Sequence, residues 1–529
     1  MSRLRVVLVA AGLAALLLAT AVVYTTGLDS AQPYIAADEA HFAANASSLA
    51  RLGTDLRGHR LPVFFHILDP LAEVDRMHAW YQPFLFYLIA IDFRLQPIDE
   101  WSLRLPVAAI GVANVLLMFL VGRRLFRSNS LGFLAAALLA MTPAHFLLSR
   151  MAADYLCPLP FVLGWLWLVL RYAERRRLAD LVGAAFVLGC GLYTYIASWF
   201  VMPLLAALTL LVVRPPARVL LPTSAAFVVP SILLLPFQST LGVVLNDVVG
   251  RYKLAASESP SLATSVMKFN LTERVALLWD YFNPSFLFFA GGNDLLMATS
   301  RAGVFLLPMA ALIGWGIYEL ARRRSPESML LLLGFIAAPL PIVVALPEAP
   351  HSSTGRALTM LVFGVLVACA GVEALWRRST GAARGAVVLL MAAMPIQFIG
   401  FRSDYFANYQ ERSWARFDPN ATRDVITTVM DLERQEAVPS VWLNDDGDDK
   451  SIRWLFYTLK HGRQDLWERT RYFRVDDAAS VAAVPPRGLL IMHANDPRSD
   501  RLLAAGCSKV ATVLAVDGQP ATDIFRRHR

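Results

Sequence analysis

Charge is scarce in this 529-residue chain, and so is cysteine. Asp, Glu, Lys and Arg make up 17% of it against 56% hydrophobic residues, whereas soluble globular chains carry about 25% and roughly 45–50%. That balance excludes an ordinary soluble domain. The four cysteines, Cys157, Cys190, Cys369 and Cys507, form no CxxC pair and no metal-ligand spacing, which argues against a disulfide framework and a zinc site. No internal repeat is evident, and the segment after Phe401 holds no GxGxxG and no P-loop, so nucleotide binding there has no support. The net charge of +8 would suit nucleic acid, but its arginines sit in short loops between apolar runs. Membrane topology accounts for them better, and no nucleic-acid partner is expected.

What is present is apolar sequence in blocks. Crossing about 30 Å of hydrocarbon takes roughly 20 helical residues. Eleven runs approach that length: Val6–Leu28, Leu105–Gly122, Leu131–Leu148, Tyr155–Tyr172, Leu178–Ala197, Trp199–Val213, Val219–Phe237, Ala302–Leu320, Met329–Leu346, Ala357–Leu375 and Gly385–Phe401. The first follows Arg3 and Arg5 and is too long for a signal-peptide core, so it reads as an uncleaved span.

Arginine decides the sidedness. Basic clusters precede span one and follow spans two (Arg123, Arg124, Arg127), four (Arg171, Arg175 to Arg177), six (Arg214, Arg218), eight (Arg322 to Arg324) and ten (Arg377, Arg378, Arg384). Every alternate connection is basic and is expected to be cytoplasmic. With the N-terminus inside, the whole of Asp29–Arg104 lies outside, and the apolar stretch Pro83–Leu95 must lie along the surface or dip and return. The expected outer face also holds residues 238–301, Pro347–Arg356 and everything after Phe401. Residues 1–401 then form a transmembrane module with outer juxtamembrane helices, and 402–529 an extracytoplasmic domain. That tail alternates helical patterns (Asn420–Gln435, Lys450–His461) with β-like runs (Ser440–Leu443, Gly488–His493, Lys509–Val516), which predicts a small soluble α/β domain. The fold class is therefore an all-α polytopic membrane protein of about eleven spans with a C-terminal α/β domain.

Chemistry-bearing residues gather at the expected outer mouths of the spans. Asp38 and Glu39 are adjacent carboxylates about ten residues past span one. Either they open a surface helix and favour its dipole, or one faces a cavity while the other orients it. Arg104, in Trp101-Ser102-Leu103-Arg104-Leu105-Pro106, departs from the inside bias of its peers; it either snorkels to headgroups or holds a phosphate. Arg150 and Asp154 share the loop between spans three and four, at a spacing that also allows them to pair with each other. His351 and Arg356 make another outer cationic site, in which the histidine is either structural or functional. The segment Tyr281-Phe282-Asn283-Pro284 through Gly291-Gly292-Asn293-Asp294 is an aromatic loop, either interfacial or in contact with substrate. Acids and guanidinium groups at one membrane boundary suit a substrate with an anionic head and a greasy tail.

At these residues the chain resembles the membrane-embedded C-type glycosyltransferases, the group of protein O-mannosyltransferases and bacterial aminoarabinose transferases. The resemblance runs from about Ala36 to Tyr409. It rests on the Asp38-Glu39 pair, the proline-led Gln82-Pro83-Phe84-Leu85-Phe86-Tyr87, Arg104-Leu105-Pro106 and Ser149-Arg150 with Asp154 beyond. It continues in Tyr281 to Phe288 and in His351 to Ala357. The family's His-Pro-Pro-Leu is Tyr81-Gln82-Pro83-Phe84 here, and the His351–Arg356 spacing is longer than usual. The resemblance implies a sugar donor carried on a polyprenyl phosphate and an acceptor hydroxyl on protein, lipid or glycan, at a bacterial inner membrane. By it, Asp38 is the general base, with Glu39 and Asp154 orienting. Arg104, Arg150, Arg356 and His351 meet the donor phosphate, and Tyr281 and Asn283 belong to the substrate loop. No cofactor or metal is required, because a monophosphate leaving group can be met by fixed arginines. A transporter or lipid flippase is the competing reading, and a scaffold presenting the tail a third. A transporter would place ionisable groups near span midpoints, where these runs have almost none.

Overall fold

The computed structural model describes residues 3–72, 79–251, 271–345, 354–378, 380–447 and 449–528. Helices follow the apolar blocks in order: α1 (Arg3–Thr25), α2 (Ala37–Leu52), α3 (Pro83–Leu95), α4 (Glu100–Leu125), α5 (Asn129–Met141), α6 (Pro143–Leu148), α7 (Leu159–Arg175), α8 (Leu178–Gly191), α9 (Ser198–Val213), α10 (Leu220–Val228) and α11 (Gln238–Arg251). Then come α12 (Leu271–Phe282), α13 (Met309–Arg323), α14 (Pro326–Ala337), α15 (Leu340–Ala345), α16 (Met360–Arg377), α17 (Gly381–Ala407) and α18 (Tyr409–Phe417). In the tail, α19 is Thr422–Gln435 and α20 Lys450–Lys460. The chain is a polytopic helical membrane protein with a small C-terminal sheet.

Each of the eleven apolar runs carries helix, but not each as one rod. Among the described residues six helices are long and apolar enough to cross a membrane: Leu4–Thr25, Glu100–Leu125, Asp154–Arg175, Ala217–Val244, Met360–Arg377 and Gly381–Ala407. Shorter apolar helices fill other runs, α5, α8, α9 and α14 among them. The third run breaks at Thr142-Pro143, because a proline cannot donate to the preceding turn but suits the first position of the next helix. The stretch Pro83–Leu95 is one 13-residue helix, about 20 Å long and too short to span.

The chain divides into two compact units, each assembled from separated segments. The first comprises Met1–Thr26, Ala79–Leu85 and Arg104–Asp404; the second comprises Gly27–His78, Phe86–Leu103 and Tyr405–Arg529.

In the first unit α16 is the central rod: every residue from Met360 to Ala374 is buried. Glycine lets α13 approach it closely. A Cβ on Gly316 would collide with the carbonyl of Val367, and one on Gly371 with that of Leu312, so the two backbones meet as small-residue membrane interfaces do. At the unit's surface, Leu389, Ile396 and Ile399 of α17 stand exposed, as a lipid-facing helix requires.

The second unit joins the first connecting segment to the tail. A five-stranded sheet is formed by β1 (Val441–Asn444), β2 (Thr470–Phe473), β3 (Leu489–His493), β4 (Cys507–Leu514) and β5 (Pro520–Arg527), in the order β2-β1-β3-β5-β4. β1 runs parallel to both neighbours, while β5 is antiparallel to β3 and β4. Phe473, Leu490, Met492 and Phe525 build the core on one face. α20 packs on α2, and Asp69 of the connecting segment accepts from Ser451 and, at 2.8 Å, from Tyr472. Phe65 stacks on Phe86 at 3.9 Å and Phe42 meets Phe86 at a tilt, 4.3 Å between ring centroids, which seats α2 against α3.

Candidate active site

In the first unit, Arg104 stands near the start of α4 and is fully buried, a placement that needs compensation from its surroundings. Arg150 follows α6 and is also buried. Its Nη1 donates to the Tyr24 carbonyl at 2.6 Å, and its guanidinium lies 5.3 Å from the Phe146 ring centroid. The Tyr24 carbonyl and the Phe146 ring are two of the groups that fix the orientation of this guanidinium.

A buried polar network stands behind that arginine. The Tyr24 hydroxyl is 2.7 Å from His145 Nδ1 and 3.0 Å from the Ala140 carbonyl. Asn114 Nδ2 lies 3.5 Å from His145 Nε2, and Ser149 Oγ donates to the His145 carbonyl at 2.6 Å. Gly111 makes room for Ser149, since a Cβ there would overlap the serine side chain. Sequence reasoning did not single out Tyr24, Asn114 or His145. The available signal was an ionisable side chain inside the apolar run Leu131–Leu148, which in a membrane helix demands a partner.

Asp154 is buried and opens the 3₁₀ turn Asp154–Leu156. The next residue, Tyr155, meets Tyr195 edge-on at 5.3 Å and presses on Gly355, where a Cβ would come within 2.7 Å of the Tyr155 ring. The turn bearing Asp154 therefore packs on the turn Thr354–Ala357, which carries half-buried Arg356. His351 lies outside the described residues. Tyr281 is buried and packs edge-on against Phe286 at 5.3 Å. Asn283 accepts from the Ser285 N–H at 2.9 Å and so shapes its own loop, which continues as a π-helical turn Ser285–Phe289.

In the second unit, Asp38 and Glu39 occupy the first turn of α2. Glu39 is fully buried and its Oε2 accepts the Ala36 N–H at 3.0 Å, the third-position half of a capping box. Asp38 stays partly exposed. One turn on, on the same helix face, His41 is buried, and its Nδ1 has no hydrogen-bond partner among the described residues. Burial, with Arg453 and His66 nearby, pushes its pKa down to about 3, so the imidazole is neutral at ordinary pH. Arg453 braces this end of the helix by donating to the carbonyls of Ile35 (3.3 Å) and Phe417 (3.0 Å). His41 and Arg453 were not among the sequence candidates, because a lone histidine on a helix carries no spacing signal and the tail's packing on α2 is invisible locally.

Residues 78–242 match the family model of dolichyl-phosphate-mannose-protein mannosyltransferase. A crystal structure of ArnT from Cupriavidus metallidurans bound to undecaprenyl phosphate superposes with a TM-score of 0.60 at 15% identity, covering 99% of this chain and 98% of that one. The apo form of the same protein gives 0.59 at 16%, covering 97% and 98%. No curated protein sequence matches the chain. The resemblance to the C-type glycosyltransferases stands, and the chain shares their fold from end to end.

Proposed function

We propose that this chain, built on the C-type glycosyltransferase fold, moves a sugar from a polyprenyl-phosphate carrier to an acceptor hydroxyl at the outer face of a bacterial inner membrane. The observation that carries the reading is the pair of buried guanidinium groups, Arg104 and Arg150, at helix ends where an anionic lipid head can be met. Undecaprenyl phosphate bound to the structurally similar ArnT is the same kind of ligand.

The roles divide by charge. Arg104, with Arg150 and Arg356, stabilises the negative charge that develops on the departing phosphate. Asp38 takes the proton from the acceptor hydroxyl as its oxygen attacks the anomeric carbon. The new C–O bond forms in line as the bond to the phosphate oxygen breaks, with inversion. Glu39 positions Asp38 by fixing the start of α2, and Asp154 orients sugar hydroxyls or the neighbouring Arg356.

The test is release of free polyprenyl phosphate from a lipid-linked sugar by purified protein. Asp38→Asn should lower transfer by about 10²–10⁴, and Arg104→Ala by about 10²–10³. Near-normal transfer by a well-folded Asp38→Asn protein would remove Asp38 as the base. No release by the wild-type protein with any such donor would remove the reaction class.

A further inference from the structure

The opposite ends of the same helices hold a second site. From Arg104 to Arg124, α4 runs about 30 Å. Where it stops, beside the ends of α7, α13 and α16 and the start of α14, a cavity of about 330 Å³ opens. Its wall carries four arginines (Arg124, Arg127, Arg323, Arg377) and three glutamates (Glu174, Glu327, Glu373).

Several of these groups are already engaged. Glu373 accepts from Arg323 at 3.0 Å and from Arg377 at 2.8 Å. Arg124 lies over the Trp167 ring at 4.6 Å and 3.9 Å from Glu174. Two are not. Arg127, just past the end of α4 with a left-handed backbone (φ 51), and Glu327, in the first turn of α14, have no ion-pair partner among the described residues. One cation and one anion on a single cavity wall are unspent.

A groove of about 660 Å³ continues from this cavity, sharing Phe126, Arg127, Glu373 and Arg377 with it. It runs between α5 and the starting half of α17, over Leu131, Leu134, Val388 and Met391, beside residues exposed to lipid such as Leu389. A polar chamber of drug-sized volume opening into an apolar furrow is the shape of a headgroup and an acyl chain. Phosphate would meet Arg127, where arginine's fork matches its geometry. A purely anionic head would then be repelled by Glu327, whereas an ammonium would be held by it. The geometry points to a structural phospholipid site at the basic ends of the spans, specific for a zwitterionic phosphoethanolamine head with one acyl chain in the α5–α17 furrow.

The test uses the detergent-purified full chain. Native mass spectrometry should find phosphatidylethanolamine co-purifying with the protein before delipidation. Short-chain phosphatidylethanolamine should raise the unfolding midpoint of the delipidated protein with saturation. Arg127→Ala and Glu327→Ala, neither with an ion-pair partner among the described residues, should each raise the half-saturating concentration by about tenfold. Leu134→Trp, filling the furrow, should do the same through loss of the chain's seat. Equal protection by inorganic phosphate would make the site one for a free anion and overturn the lipid. Equal protection by phosphatidylglycerol or polyprenyl phosphate would overturn the headgroup assignment. Unchanged lipid affinity in all three variants would overturn the site.

Discussion

Asp38 and Glu39 differ by one position in sequence and by their whole environment in the fold. Glu39 is sealed in and holds the Ala36 N–H, so Glu39→Ala leaves that donor buried without a partner. The loss should be about 1–3 kcal/mol, read as a lower unfolding midpoint, whereas Asp38→Asn should leave the midpoint nearly unchanged. Their adjacency was legible in the sequence; which of the two is structural was not, since that depends on burial. His41 gives a pH prediction. Its folded pKa, about 3, lies below the ordinary 6.5, so protonation favours the unfolded chain. Stability is full above pH 6.5 and should fall by up to about 1.4 kcal/mol per pH unit as pH drops toward 3. His41→Gln should flatten that slope; an unchanged slope would assign the acid sensitivity to other groups. The network of Tyr24 with Ala140 and His145 lay beyond sequence reasoning because its partners are 116 and 121 residues apart.

Among elements, helices made by composition were easy to read and those cut by tertiary needs were not. Pro83–Leu95 was bounded correctly because a proline opens it. The third apolar run looked continuous, yet Pro143 splits it into α5 and α6 and so sets the register at which Arg150 leaves α6. Pro143→Ala, which permits one straight helix, should lower transfer by at least about tenfold with little loss of stability, since a displacement of about 1 Å at a reacting group already costs more than that. In the tail, β1, β3 and β4 were anticipated, but β2 and β5 were not. β5 reads Pro-Ala-Thr-Asp-Ile-Phe-Arg-Arg, with no clean alternation. It is nonetheless paired on both sides, and its Asp523 is buried with Lys509 at 3.1 Å and Thr512 as partners. The contact of α13 with α16 makes its own prediction. Gly371→Leu should drive the two backbones apart and cost several kcal/mol, as overpacking with no room to relax does. The measurement is yield and unfolding midpoint of the variant in detergent.

For the molecule as a whole, the arginine pattern and the apolar blocks revealed a membrane bundle and a distinct tail. They did not reveal that the tail completes a unit begun by residues 27–78 and 86–103. Such pairings leave no local signature: Asp69 with Tyr472 spans 403 positions, and Lys460 with Glu100, at 2.6 Å, spans 360. Truncation after Asp404 should therefore be more than removal of an accessory. It strips α2 of α20 and leaves Tyr34 and Asp69 without Asp424, Ser451 and Tyr472. Limited proteolysis should cut within residues 27–103 in the truncated protein and spare them in the full chain; equal resistance in both would show that the first segment folds alone. The same arrangement has a meaning for biosynthesis. The helix bearing the proposed base emerges from the ribosome long before α20, which packs on it. Each growing chain thus holds α2 half-supported until α20 follows about four hundred residues later, and a product terminated before Lys450 is left without that support for Asp38.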